Sequence, residues 1–345
     1  MSRTDVAQTL LSVPELGRFS IQGPALSSDP MIHFHNGDVA ASLARRAGVP
    51  GRHVPFRESL VGGPVRPSLP MHEWVEERAL FLSEHYGEKL LRIRNELLEQ
   101  ELNLDKAREE EEIVLWFEHD LFCLVHLLYL FSRLSKARRI TLIWSPQPLG
   151  TQSEEDLFNL FQSRAAVIPA MATAAALAWR AFTSDDPTSL NRFLGADVAD
   201  FPFLRDGLLL HASRFPSTRN GLGEVERRAV EAIDAGASDF ISLFSRFDSK
   251  PPRFGFGDGE FLRHLKHLSS AAVPVITIIG EEKANPPKAL FTITPAGRNV
   301  IDGTVDFIEI NNAGFWLGGA HLTRERMWRW DAALRQIVPS QPAAS

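Results

Sequence analysis

The feature that most constrains the fold is residues 113–117, IVLWF, an apolar run with no polar residue on either face. A strand of this kind is buried on both faces, as in a parallel sheet covered by helices. Residues 32–35, 53–56 and 139–144 are also strand-like, and amphipathic or apolar helix-like segments separate all four pieces. The sequence therefore predicts an α/β fold with a parallel sheet in residues 30–150.

The rest of the chain divides around proline-marked breaks. Residues 153–156, SEED, open a helix in the manner of a capping box, and Pro187 and Pro202 mark breaks further on. We expect four regions, which are a flexible leader at 1–29, the α/β domain at 30–150, a helical connector at 151–202 and an independently folding domain with a Trp-rich tail at 203–338.

The composition limits the classes of function. The formal net charge of −6 argues against a dedicated nucleic-acid binder. The only cysteine, Cys123, cannot form an intramolecular disulfide, and the first residues lack a secretory signal, so we expect a cytoplasmic protein. No apolar run reaches the length of about 18 residues that a membrane span needs, so no membrane partner is expected. The oligomeric state stays open.

Polar residues follow each of the first three predicted strands. In open parallel sheets, ligands bind beyond the carboxyl ends of the strands, where loops and helix N-termini converge. The three clusters are therefore expected to line one pocket. The acid–base candidates in it are Asp38, Glu58, His119 and Asp120, and the ligand-binding candidates are Asn36, Gly37, Arg57 and Glu118.

Each cluster also has a structural interpretation. Asp38 and Asp120 stand immediately before helical segments, where an aspartate accepts backbone N–H groups as an N-cap. Gly37 is suited to a tight turn between strand and helix. Arg57 and Glu58 have the charges of a surface ion pair, and Cys123 lies among leucines, as a buried structural cysteine does.

His33 and His35 alternate along a predicted strand, so both imidazoles point to the same face of the sheet. Metal sites use this arrangement, but they need a third ligand, for which Asp38 and His119 are the candidates. Because neither is fixed near the pair by the sequence, we predict no metal site. The chain contains no GxGxxG and no GxxxxGK[ST] motif, so the cofactor is unknown.

Residues 203–338 contain three short helix-like segments, a hairpin-like segment and the sequence TPAGR at 294–298, and together they resemble a winged-helix domain. In such domains the third helix enters the DNA major groove. Here that helix offers Arg263, His264, Lys266 and His267, and the predicted DNA contacts are Arg263, Lys266 and His267. It also carries Asp258 and Glu260, so its surface is weakly basic, and DNA binding is the alternative rather than the preferred function.

Three stretches carry a resemblance to a known family, namely IHFHNGDVAASL, VPFRESLVGGPV and LWFEHDLFCLVHLLYLF. They are similar to the bacterial family called domain of unknown function 1835, and similar segments continue to about residue 331, including 201–233 and FWLGGAHL. The positions that match its pattern are Asn36, Gly37, Asp38, Glu58, Gly63, Pro64, Trp116, His119 and Asp120, whereas His33 and His35 stand where the family has mostly apolar residues. The resemblance implies the two-part fold but no particular activity.

Two classes of function are consistent with these patterns. In the first, the α/β domain binds or processes a small polar or phosphorylated molecule at its strand ends, as an enzyme or as a binding module. In the second, the protein is a ligand-responsive DNA-binding regulator. The charge balance favours the first and the two-part architecture favours the second; an interaction scaffold is the third option.

Overall fold

The structure, a computed structural model, describes residues 31–195, 198, 200–247, 253–281, 287–311 and 314–340. The predicted leader, residues 1–29, lies outside this part of the chain. The fold is mixed α/β, as predicted, and its N-terminal region contains the parallel sheet. Among the described helices, none combines the length and the apolar character of a membrane span.

The N-terminal region alternates strands and helices as the sequence pattern predicts. Its elements are β1 (Met31–Asn36), α1 (Asp38–Arg46), β2 (Arg52–Phe56), α2 (Met71–Tyr86), α3 (Leu90–Ala107), β3 (Glu112–Glu118), α4 (Leu121–Arg133) and β4 (Ile140–Ser145). The connector that follows is mainly helical. It contains a 3-10 turn (Leu149–Thr151), α5 (Glu154–Gln162), β5 (Ala165–Ala166), α6 (Pro169–Phe182), a second 3-10 turn (Pro187–Leu190) and α7 (Asn191–Leu194).

The C-terminal region combines helices with small antiparallel sheets. Its elements are α8 (Leu204–Ser213), α9 (Glu224–Asp234), α10 (Phe240–Phe247), α11 (Asp258–Ser270), β6 (Ile276–Glu281), β7 (Lys288–Ile293), α12 (Pro295–Asp302), α13 (Phe307–Ile310), β8 (Gly314–Leu317), β9 (Ala320–Thr323), β10 (Trp328–Asp331) and β11 (Gln336–Pro339). The strands pair antiparallel as β6–β7, β8–β9 and β10–β11.

The main sheet has the strand order β2-β1-β3-β4-β5. The first four strands are parallel, and the two-residue strand β5 runs antiparallel to β4 at the edge. β3 lies in the centre and is buried from Glu112 to Phe117, which explains its apolar composition. The chain moves from β1 to β2 on one side and then to β3 on the other, so the strand order reverses between β1 and β3.

Successive residues of the central strands face opposite sides of the sheet. On one side, Ile32, Phe34, Leu115 and Phe117 join the large hydrophobic core. On the other side, Val114 and Trp116 pack with residues of α1 and α5 in a smaller core. His33 and His35 belong to this second side, where they lie close to Trp116.

The large core runs across position 203, where the sequence predicted a domain boundary. It includes Phe34 and Leu115 from the sheet as well as Phe261 and Phe291 from the C-terminal region. Backbone hydrogen bonds also cross the boundary, because Leu121 N donates to Arg253 O and Phe122 N donates to Phe254 O. Independent folding of residues 203–338 stays a prediction, and the shared core argues against it.

Candidate functional site

The carboxyl ends of β1 and β3 meet at the first turn of α4. Asn36 Nδ2 lies 2.9 Å from Cys123 Sγ, and Asn36 Oδ1 lies 3.0 Å from His126 Nδ1. Asp120 Oδ1 accepts a hydrogen bond of 2.7 Å from the backbone N–H of Cys123. Two of the predicted strand-end residues, Asn36 and Asp120, are therefore brought together around Cys123, which is fully buried as predicted.

Asp120 is the N-cap of α4, as one of its two interpretations predicted. Its side chain is buried, and burial, together with the nearby Glu118, raises its pKa to about 8. Gly255 covers the carboxyl group: a Cβ on Gly255 would lie 2.3 Å from Asp120 Cγ, and its φ of +69° also favours glycine. The carboxyl group thus faces protein on this side, and its catalytic role stays a prediction.

Asp38 does not cap α1, so that interpretation is wrong. The N-cap is Gly37, whose φ of +90° meets the backbone requirement of the turn. Asp38 is the first helical residue, and its exposed carboxylate binds Arg57 through Nε at 2.8 Å and Nη2 at 2.5 Å. The hydrogen bonds from Arg57 lower the pKa of Asp38.

Arg57 and Glu58 do not pair with each other, because Glu58 binds Arg78 of α2. The contacts are 2.7 Å from Arg78 Nε to Glu58 Oε1 and 2.8 Å from Nη2 to Oε2, and both side chains are almost fully buried. Arg78 also donates to the carbonyls of Ser59, Gly62 and Pro64. This ion pair holds the loop after β2, so the Glu58 carboxylate is already fully engaged.

Glu118 and His119 lie toward β4. Glu118 Oε1 accepts a hydrogen bond of 2.9 Å from the backbone N–H of Leu149, and burial raises the pKa of Glu118. The His119 ring stacks on Phe203 at a centroid distance of 5.4 Å and contacts Trp144 at 4.7 Å. Burial lowers the pKa of His119.

One cavity touches the strand ends. It has a volume of about 380 Å³ and is lined by Arg57, Glu58 and Ser59 from the loop after β2, by Tyr86 of α2, and by residues 257–260 at the start of α11. Asn36, Asp38, His119 and Asp120 do not line this cavity. That all the strand-end residues share a single pocket stays a prediction.

A second cavity lies between the N-terminal and C-terminal regions, and we call it the junction cavity. Its volume is about 190 Å³. The N-terminal region contributes Gly63 and Phe81, and the C-terminal region contributes a larger set that includes Arg214, Gly221, Leu222, Gly223, Glu226, Arg263, His264, His267, Phe307 and Trp316.

Arg214 is the most unusual residue of the junction cavity. It is only 4% exposed, and burial lowers its pKa to about 10. Its Nη1 donates to the carbonyl of Val61 at 2.7 Å, and its guanidinium lies over the Phe256 ring at 5.2 Å. Its Nε is buried and has no hydrogen-bond partner. Within the described part of the chain, no carboxylate forms an ion pair with it.

A chain of polar contacts connects the two cavities. Tyr86 Oη lies 2.9 Å from Ser59 Oγ and donates to the carboxylate of Glu260. Glu260 Oε1 accepts from Arg263 Nη2 at 2.6 Å. Burial raises the pKa of Glu260, but the charges of Arg263 and His264 more than offset this and hold it well below its ordinary value.

The same chain ends at Glu226 of α9. His264 Nδ1 donates to Glu226 Oε1 at 2.6 Å, and His264 Nε2 lies 3.2 Å from Arg263 Nη2 and 3.4 Å from Glu260 Oε1. Burial raises the pKa of Glu226, but the contact with His264 more than offsets this and lowers it to about 2. Both ring nitrogens of His264 are therefore engaged by protein groups.

Among the predicted DNA contacts, Arg263 and His267 lie one turn apart on α11 and both line the junction cavity. The Arg263 side chain is 24% exposed and points to Glu260, and His267 lines the junction cavity beside the rings of Phe307 and Phe315. Arg263 is thus engaged by a carboxylate of its own helix, whereas Lys266 and His267 are exposed.

Sequence reasoning missed Arg214 and Glu226, and it considered His264 only as a possible DNA contact. The segment 215–228, FPSTRNGLGEVERR, was noticed only as part of the family resemblance. No local pattern marks Arg214, because its cavity is formed by residues far apart in the chain. A charged residue directly after an apolar helix is common at helix ends and carries no signal by itself.

The histidine pair of β1 does acquire a third member. It is His53 of β2, and the ligand atoms of His33, His35 and His53 all lie within 4.8 Å of one another. The third ligands considered from the sequence, Asp38 and His119, are wrong, since neither joins this group among the described residues.

No protein-family model and no curated protein sequence matches the chain. The chain is a mixed α/β protein with a parallel sheet in its N-terminal region. A cavity lies between that region and the C-terminal helices. Membership of the family called domain of unknown function 1835 stays a prediction.

Proposed function

We propose that the protein binds a small organic anion, with a carboxylate or phosphate group, in the junction cavity. The observation that carries this proposal is Arg214, a buried guanidinium that lines the cavity, forms no direct ion pair with a described carboxylate and has an Nε without a hydrogen-bond partner among the described residues, although Glu226 and Glu260 lie near enough to act on its charge. The proposed ligand is of the small polar or phosphorylated kind that the sequence predicts, but the proposed site is the junction cavity rather than the strand ends.

The charge of Arg214 is buried without a direct ion pair among the described residues. Removing a charged side chain from water costs several kcal/mol, and proteins normally offset that cost with an opposite charge. Near the strand ends, Arg57 is paired with Asp38 and Arg78 is paired with Glu58. Arg214 feels the charges of Glu260 and Glu226 but forms no direct ion pair with either, so an anion in the junction cavity would supply a directly bonded opposite charge. A planar guanidinium binds carboxylate or phosphate with paired N–H donors.

The size of the cavity limits the ligand. A volume of about 190 Å³ is below the range of roughly 300–1,000 Å³ that is typical of pockets for drug-sized ligands. The proposed ligand therefore has few non-hydrogen atoms, as a short carboxylic acid or a phosphate ester of a small alcohol does.

The geometry supports binding more than catalysis. A general base needs a lone pair within hydrogen-bond reach of the substrate. Three histidines, His85, His264 and His267, line the cavity. His264 is not available for this role, because its Nδ1 binds Glu226 and its Nε2 faces Arg263 and Glu260. The Glu226–His264 pair thus supports the wall of the cavity, and the proposed activity is recognition.

The proposal is tested by calorimetric titration of the full-length protein with inorganic phosphate and with succinate. Wild type is expected to bind at least one of them, and Arg214→Gln is expected to lose the binding. Arg133→Gln is a matched control, because Arg133 is also partly buried but pairs with Asp105 away from the cavity. Equal binding by wild type and by a folded Arg214→Gln protein would refute the assignment of Arg214.

A second candidate function is ligand-responsive DNA binding. The helices α9, α10 and α11 are followed by the β6–β7 hairpin, and Asp239 bridges to Leu290 as a further strand would. This order supports the winged-helix interpretation, and α11 also lines the junction cavity, which would couple a ligand to that helix.

Selection of bound sequences from random DNA, with and without phosphate, tests this alternative. We expect no specific motif, since Arg263 is engaged by Glu260. A defined motif bound with nanomolar affinity and lost in the double variant Arg263→Glu, Lys266→Glu would make the regulator the primary function.

A further inference from the structure

Three histidines lie on the face of the sheet that α1 and α5 cover. His33 and His35 alternate along β1, and His53 of β2 stands directly opposite His33 in the parallel register. The ring centroids are 4.4 Å apart for His33 and His53 and 5.1 Å apart for His35 and His53. Strand geometry alone thus directs three imidazoles to one point.

The hydrogen bonds fix the tautomers of two of these rings. His33 Nε2 lies 2.8 Å from the carbonyl of Pro50, and His53 Nε2 lies 3.0 Å from the carbonyl of Val49. A carbonyl oxygen only accepts, so each Nε2 carries the proton and each Nδ1 presents a lone pair. Histidines that bind metals are held in the same way, with the second ring nitrogen donating to a backbone carbonyl.

The loop between α1 and β2 is shaped for these contacts. Gly51 has a φ of +106°, and a Cβ there would lie 2.8 Å from His33 Nε2. Glycine therefore allows the backbone to approach the His33 ring closely enough for the Pro50 carbonyl to accept its proton. A substitution at Gly51 would push the loop away from the ring.

The third ring is bound less completely. His35 Nε2 lies 2.8 Å from His53 Nδ1, whereas His35 Nδ1 is buried and has no hydrogen-bond partner. Burial lowers the pKa of all three histidines, so the rings are neutral at pH 7, which is the form that binds metals.

We propose that His33, His35 and His53 form a binding site for a late first-row divalent metal ion, with Zn²⁺ as the ion of choice. The donor set consists of imidazole nitrogens without a carboxylate, which suits Zn²⁺, Co²⁺, Ni²⁺ or Cu²⁺ rather than Mg²⁺ or Ca²⁺. At Zn–N distances of about 2.0–2.1 Å, tetrahedral geometry separates the nitrogens by about 3.3 Å. The ligand atoms of the three rings lie within 4.8 Å of one another, and His35 Nε2 and His53 Nδ1 are 2.8 Å apart. The value of about 3.3 Å lies between these two distances.

Hydrogen bonds hold the same rings together without an ion, and a bound ion must replace these hydrogen bonds. Trp116 Nε1 donates to His33 Nδ1 at 3.0 Å, and His35 donates to His53 Nδ1. Binding of the ion would break both hydrogen bonds. The proton on His35 Nε2 would move to His35 Nδ1, which has no hydrogen-bond partner among the described residues, and the Trp116 N–H would lose its acceptor. Trp116 is therefore a built-in reporter of occupancy and a position at which affinity can be raised.

The test is calorimetric titration of the full-length protein, free of affinity tags, with Zn²⁺ and with Mg²⁺ as the control ion. We expect one Zn²⁺ per chain, no Mg²⁺ binding, and the visible absorption of tetrahedral Co²⁺ when Co²⁺ is used instead. His53→Gln is the first variant because His53 is only partly buried. It should weaken Zn²⁺ binding by more than about 10–100-fold, which is the typical loss when only a hydrogen-bond partner of a metal ligand is removed.

Two further variants make the test decisive. His72→Gln changes an exposed histidine on α2, with 82% of its side chain accessible, and should leave Zn²⁺ affinity unchanged. Trp116→Phe removes the competing donor and should strengthen binding by about fivefold, the factor of one net hydrogen bond. No Zn²⁺ binding by wild type, or Zn²⁺ binding of unchanged affinity in a folded His53→Gln protein, would overturn the proposal.

Discussion

The strand-end loops and the junction cavity both contain charged residues, but they differ in how those charges are partnered. At the strand ends, Asp38 binds Arg57 and Glu58 binds Arg78. In the junction cavity, Arg214 is more deeply buried than Arg57 yet forms no ion pair with any described residue. The difference indicates that the strand-end charges hold the fold together, and the absence of a direct ion pair at Arg214 is what supports the proposed anion site.

The largest expected effect concerns the separation of the two regions. Residues 203–338 expressed alone should not fold cooperatively, because their core side chains, including Phe261 and Phe291, pack in one cluster with the sheet. Circular dichroism and denaturant unfolding measure this directly. A cooperative transition of the isolated fragment would show that the C-terminal region has a sufficient core of its own.

Next in size is the contrast between the two buried guanidinium groups. Glu58→Gln should destabilise the protein by about 3 kcal/mol or more, because it leaves Arg78 buried and unpaired. Arg214→Gln should leave stability unchanged or raise it in ligand-free buffer, because it removes a buried charge without breaking an ion pair and loses only the hydrogen bond to the Val61 carbonyl, worth about 1 kcal/mol. Urea unfolding of both variants is the measurement, and equal losses would remove the distinction between the two sites.

A smaller effect is expected from the pH dependence of Asp120. Its pKa is raised from 3.8 to about 8, so the folded state holds its proton more tightly than the unfolded state. The stability that this proton contributes is complete below about pH 4 and is lost as the pH rises to about 8. The stability of wild type relative to Asp120→Asn should fall over that interval. A pH-independent difference would show that the Asp120 carboxyl group is accessible to water.

The smallest expected effect comes from His211 of α8. Both of its ring nitrogens are buried without a hydrogen-bond partner, and burial holds its pKa well below the ordinary value. Stability linked to this residue is therefore lost as the pH falls below about 6.5, where the unfolded state takes up a proton. His211→Phe, between Phe182 and Phe215, should reduce the acid sensitivity, and a steeper loss of stability at pH 5 would contradict this.

Much of the N-terminal fold follows from local patterns. The apolar run of β3 and the alternation of strands and helices predict the parallel sheet, and Asp120 before an apolar segment predicts its role as a cap. The partners of the charged residues do not follow, because Arg78 meets Glu58 only after the loop at 58–64 folds back on α2. Charge pairing over such distances depends on tertiary structure rather than on spacing.

The histidine group and the junction cavity show the same limit. His33 and His35 share a strand and are visible as a pair, but His53 joins them only because β2 is the neighbour of β1 in that register. Arg214 meets Val61 across 153 positions of sequence, and nothing near either residue predicts the contact. Sites built within one element can be predicted from the sequence, and sites built between elements need the strand order and the packing.

The most direct test of the central claim is the identity of any anion that co-purifies with the protein. Wild type and Arg214→Gln are purified in buffers free of phosphate and carboxylates, denatured, and compared by mass spectrometry. The junction cavity of wild type should release a small anionic molecule in near-stoichiometric amount, and Arg214→Gln should release none. The same anion in equal amount from both proteins, or no anion from wild type combined with no calorimetric response to phosphate or succinate, would contradict the claim.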